Sequence, residues 1–103
     1  MDLNFHAHHA VISERLRTRA ALALLKFAQR FPETVDATVR FAQDGPRRRV
    51  EIIVQGRQGR RWVAEGSWRT YGPALTAALK HLESQLVHGK RTPKDRAQPA
   101  RRL

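Results

Sequence analysis

Near the C-terminal end of the chain, Lys80, His81, Ser84 and His88 gather cationic and hydrogen-bonding side chains, with spacings of three, four and seven among the last three. On a helix such spacings make surface neighbours. The chemistry on offer is the capture of an anion: an ammonium point charge, with imidazole and hydroxyl groups as further donors. Lys26 and Arg30, four residues apart, together with Arg19, could form a matching face on an earlier helix. Lys90 and Arg91 follow directly after the first group. Two such helices side by side would present a groove of cations and donors to phosphates. The expected RNA-contacting set is therefore Lys26, Arg30, Lys80, His81, Ser84, His88, Lys90 and Arg91. The competing reading is an ordinary solvated helix face.

Other clusters carry less. Arg47, Arg48 and Arg49 sit at one turn-like segment and Arg57, Arg60 and Arg61 at another. Arginine forks hold phosphate in a bidentate manner. These two turns leave one strand at opposite ends, so they cannot form a single compact patch. His6, His8 and His9 suggest a metal, yet no carboxylate or cysteine stands at a ligand-like spacing from them, and zinc sites want three or four ligands. No metal and no cofactor is expected. No nucleophile and base are paired, and no glycine loop is shaped to cradle a phosphate, so an enzyme is not expected. Trp62 lies on a predicted strand, where an indole usually joins the core. Trp68 precedes the second helix, where it could be partly exposed.

Bulk composition frames these sites. The chain has 103 residues, of which 41% are apolar, enough for one core. It has no cysteine, which fits a reducing compartment. No apolar run reaches the roughly 20 residues that span a bilayer. MDLNFHAHH is not a secretory leader, so a cytoplasmic location is expected, with no membrane association. Charge is the strongest global signal: 20 Lys and Arg against 9 Asp and Glu give a net +11. Residues 1–88 hold +6 of this and residues 89–103 hold +5. Such an excess attracts a polyanion, and nucleic acid is the commonest one in the cytoplasm.

The elements that must position the candidate residues follow from periodicity. Leu3, Phe5 and Ala7 alternate with polar residues as a first strand. Leu16, Ala20, Leu24, Phe27 and Phe31 recur at steps of three and four as one helical stripe, which Ser13 can cap and Pro32 ends. Val35, Ala37, Val39 and Phe41 form a second strand, QDGP a turn, and Val50, Ile52 and Val54 a third strand. Gly56 and Gly59 mark another hairpin, and Trp62 and Ala64 belong to a fourth strand. A second helix begins around Gly72-Pro73 and buries Ala74, Ala78, Leu82 and Leu86. The fold expected is α+β: β-α-β-β-β-α, a four-stranded sheet with two helices on one face, the first two strands parallel if adjacent. Residues 1–88 form this domain. Residues 89–103, basic and proline-broken, are expected to be a disordered tail.

This order, the strand LNF leading to Ile12-Ser13, and the second-helix sequence together resemble one family. In that helix Tyr71, Ala74 and Ala78 precede Leu82-Glu83, Gln85-Leu86, His88 and Lys90. The similarity, over about residues 3–91, is to the ribosome hibernation-promoting factors and ribosome-associated translation inhibitors. The resemblance implies a non-enzymatic factor that binds the small ribosomal subunit and its rRNA near the decoding region. It also implies no small-molecule substrate and a monomer off the ribosome. With no room for the C-terminal dimerisation domain of longer members, the chain looks like a short form. It departs from the family pattern at Arg69-Thr70 and Pro73. His81, Ser84 and His88 stand where the family carries basic residues, and Ala23 where it often has lysine. Two alternatives to the ribosome reading stay open: a general structured-RNA-binding protein, and a basic interaction module for an acidic protein partner.

Overall fold

The computed structural model describes residues 1–89. The element order is β1 (Asp2–His8), α1 (Glu14–Arg30), β2 (Thr34–Asp44), β3 (Arg47–Gly56), β4 (Arg61–Trp68) and α2 (Tyr71–Gly89), with a short 3-10 turn at Arg57–Gly59. This is the β-α-β-β-β-α order that periodicity predicts. The expected tail begins with Gly89, the last residue of α2; residues 90–103 lie outside the described residues.

The four strands lie in the order β1-β2-β3-β4. β1 runs parallel to β2, and the other neighbours are antiparallel. The parallel pair follows from the helical crossover, the antiparallel pairs from tight turns. Gly45 takes a left-handed φ of 62° in the two-residue turn before Arg47, a conformation that costs glycine nothing. The β3–β4 connection also turns through left-handed angles, at Gly59 (φ 75°) without steric cost and at Gln58 (φ 62°) against the preference of a residue with a Cβ.

One face of the sheet is apolar and covered. Ala37, Val39 and Phe41 of β2 pair with Val54, Ile52 and Val50 of β3, and all six are buried. Ala20, Leu24, Phe27 and Phe31 descend from the first-helix segment, and Ala74, Leu75, Ala78, Leu82 and Leu86 from α2. The Ser13 hydroxyl accepts from the Leu16 amide at 3.1 Å, which starts α1. Its end comes at Phe31, which leaves helical angles before Pro32 (φ −125°, ψ 80°), although the Phe31 amide still donates to the Phe27 carbonyl at 2.9 Å.

Two residues depart from simple alternation. Val35 is 45% exposed because the β2–β3 register shifts between Thr34 and Asp36, which throws it off the core face. Ile53 points to the open sheet face, yet only 8% of it is exposed. Its cross-strand partners Thr38 and Val63 flank it there. The second helix also begins at Tyr71, slightly before the predicted Gly72-Pro73.

α2 lies close on β4 at Gly66. A Cβ there would collide with the Ala74 carbonyl oxygen and come within 2.6 Å of the Ala78 nitrogen. The missing side chain is what lets the helix backbone descend this far.

Candidate nucleic-acid interface

α1 and α2 lie side by side above the sheet and run in the same direction. Near both N-terminal ends, Arg19 donates to the Gly72 carbonyl at 3.2 Å and to the Thr76 hydroxyl. Further along, Arg30 pairs with Glu83. These contacts clasp the helices at two levels. Between the clasps runs an open groove of about 390 Å³ whose walls include Lys26 and Arg30 from α1 and Lys80 from α2. Lys26 and Lys80 are exposed and form no ion pair with any described residue.

Three of the predicted residues, Lys26, Arg30 and Lys80, thus share one groove. The others on α2 diverge from it. Successive helical residues point about 100° apart, so His81 turns away from Lys80 toward the edge of the sheet. There its Nδ1 lies 2.7 Å from the Glu65 carbonyl, and Gln85 donates to the Val63 carbonyl at 2.7 Å. Both carbonyls belong to β4, an edge strand that would otherwise leave them unpaired. A bond from Nδ1 to a carbonyl requires the proton on Nδ1, which leaves Nε2 facing outward. His88, seven residues on, falls on nearly the same line as His81, and Ser84 sits on the outer ridge between the two sides; both are exposed. Lys90 and Arg91 lie outside the described residues.

The three arginines of the β2–β3 hairpin are engaged with neighbours, whereas of Arg57, Arg60 and Arg61 only Arg60 has such a side-chain contact among the described residues, over the Trp62 ring. Arg47 donates to the Ser67 hydroxyl at 2.9 Å, and Arg49 approaches Glu65 at 3.8 Å. Arg48 lies over the Tyr71 ring, 5.9 Å from its centre. Arg48 thus lies on the helix side, while Arg40 and Glu51 pair at 3.8 Å on the open face that also carries Arg47, Arg49 and Glu65. That face therefore mixes charges. α1, in contrast, carries Arg15, Arg17, Arg19, Lys26 and Arg30 against Glu14 alone. The cationic surface belongs to the helix side. His6 and His8 share a shallow depression on the open face with Arg40, Arg49 and Glu51. No group of three or more His, Cys, Asp or Glu able to hold a metal occurs among the described residues.

Tyr71, at the start of α2, packs edge-on against Phe41, and its hydroxyl makes no hydrogen bond among the described residues. Burial pushes its phenol above the ordinary tyrosine value, while the nearby Arg48 charge pulls the other way.

Two features had no local sequence signal. Glu83, though part of the family-like pattern, closes the groove through a partner 53 residues away. Gln85, beyond its place in the family-like pattern, seals β4 through a carbonyl 22 residues away. Tertiary placement alone brings either pair together.

A family model described as sigma 54 modulation protein / S30EA ribosomal protein matches residues 3–94. No curated protein matches the chain significantly. Among solved structures, a ribosomal subunit interface protein from Coxiella burnetii is similar with a TM-score of 0.80 at 19% identity, covering 87% of this chain and 98% of that one. The N-terminal domain of Thermus thermophilus Protein Y is similar with a TM-score of 0.72 at 22% identity, covering 84% and 96%. At these identities the two structures share the fold. No helix among the described residues is long and apolar enough to cross a membrane.

Proposed function

Because this chain belongs to the sigma 54 modulation protein / S30EA ribosomal protein family, we propose that it is a ribosome-associated factor that silences translation by occupying the small subunit. In this reading it works by binding and not by catalysis, in the cytoplasm, near the decoding region. The groove between α1 and α2 faces rRNA phosphates, and the folded body excludes mRNA and tRNA. The observation that carries the reading is the convergence of Lys26, Arg30 and Lys80 on one groove, on the face of the molecule with the cationic excess. The similar folds of a ribosomal subunit interface protein and of Protein Y support the same reading.

Binding of this kind rests on releasing counterions from phosphates. If about 6–10 phosphates are contacted, affinity should fall by roughly 10³–10⁵ between 50 and 200 mM salt. The test is co-sedimentation of the purified protein with small subunits through a sucrose gradient, alongside translation assays. The expected result is comigration with the small subunit, loss of comigration at high salt, and reduced translation. A protein that stays at the top of the gradient at physiological salt would overturn the proposal. Equal binding to generic duplex RNA would indicate a general RNA binder, and recovery of a protein partner after nuclease treatment an interaction module.

A further inference from the structure

Trp68 closes β4 opposite Arg48, in register with the helix-facing residues Gly66 and Ala64, yet its side chain is 55% exposed. An indole is the largest apolar side chain, and leaving it in water forfeits the stabilisation that burial would give. Its surroundings are specific. It lines a depression with Gly72, Pro73 and Ala77 of α2, which are small or apolar, and with Arg19 and Lys80, which are cationic. Arg19 and Lys80 also line the groove between the helices, so the two depressions adjoin, with the Arg19 clasp between them. The Arg19 guanidinium is held in place by the Gly72 carbonyl and the Thr76 hydroxyl. The aromatic surface thus lies just beyond Lys80 and the Arg19 clasp, next to the groove that holds Lys26 and Arg30.

We propose that Trp68 is a stacking platform for one unpaired RNA base, at the end of a phosphate track formed by Lys80, Lys26 and Arg30. Every base has a π-face, and stacking on an aromatic side chain tolerates sequence. Single-stranded bases splayed from their neighbours are the parts of RNA that proteins read in this way. A duplex offers phosphates but no free base face, so the groove would grip both and the platform only the single strand. This rests on the ribosome reading for its biological target, but not for its chemistry.

The experiment compares three probes by intrinsic fluorescence and by affinity: a single-stranded RNA of about 12 nucleotides, the matching duplex, and an abasic strand of equal length. The wild-type protein should bind the single strand roughly 5- to 150-fold tighter than the abasic strand, with quenching of tryptophan emission. Trp68→Leu should abolish that preference, and Trp68→Phe should retain most of it. Lys80→Gln should weaken binding to all three probes alike. Equal wild-type affinity for strands with and without bases would overturn the proposal without any mutation. So would an unchanged preference in a folded Trp68→Leu protein. Sedimentation of the same wild-type protein with small subunits separates the two ideas. Cosedimentation without base dependence removes the platform alone, and base dependence without cosedimentation removes the ribosomal target alone.

Discussion

Arg30 and Glu83 join α1 to α2 through an ion pair in which both side chains remain about half exposed, at 58% and 44%. Such a pair contributes about 0–1 kcal/mol to stability. Its larger effect is to occupy one of the groove's cations with a carboxylate. Glu83→Gln should therefore tighten RNA or small-subunit binding a few-fold, about 1 kcal/mol, and steepen its salt dependence. The melting temperature should barely move. Titrations at several salt concentrations check this, and weaker binding by the variant would count against the groove.

Lys26→Gln with Lys80→Gln should lower the salt-dependence slope by roughly two, one for each phosphate that is no longer neutralised. Folding stability should stay within about 0.5 kcal/mol of the parent. His81→Ala makes the contrast. It removes the bond to the Glu65 carbonyl, so it should cost about 1 kcal/mol of stability and leave affinity nearly unchanged. Denaturation curves and binding isotherms on the same samples separate the two roles.

Gly66→Ala should destabilise the domain by about 1–3 kcal/mol or more, because its methyl group meets the α2 backbone, which cannot swing aside as a side chain could. A domain of this size should then melt about 4–8 °C lower for each kcal/mol. Gly72→Ala is the control, since the nearest atom to its new methyl would be the Arg19 guanidinium at an ordinary 3.5 Å. Calorimetry should show a clear drop for the first and little change for the second.

Tyr71 is the only tyrosine, so its ionisation can be followed by absorbance without ambiguity. Burial raises its pKa and Arg48 opposes the rise. The phenol should therefore titrate above the ordinary value near 10 in the folded protein. Below that value both folded and unfolded chains hold the proton, and the stability linked to it is fully present. As pH climbs from the unfolded value through the folded one, the unfolded chain loses its proton first, and stability falls. Arg48→Ala should push the folded titration higher still. A folded titration at or below 10 would contradict the burial of the hydroxyl.

The apolar stripes announced the architecture well. Leu24, Leu82 and Leu86 at helical spacing and Val39, Ile52 and Ala64 at strand spacing end up in one core, since period sets which side chains share a face. A local irregularity such as the register shift beside Val35 escapes that logic. The candidate groove was half visible. Charges at 26, 30 and 80 mark two helix faces, but nothing local shows how those faces rotate. Adjacent residues 80 and 81 therefore read as one patch, although packing turns one toward α1 and the other toward β4. Trp68, by contrast, stands just before the second helix, and the partial exposure expected there is what the structure has. Its exposure follows from where β4 stops and α2 begins.

The clasp of β4 by His81 and Gln85 bears on how these molecules behave when crowded. A bare border strand invites its counterpart on another copy to zip alongside, the first step toward insoluble fibres. With the Val63 and Glu65 acceptors already taken by the protein's own helix, that border is hemmed. Concentrated stocks should tolerate long storage better than those of a variant lacking both side chains.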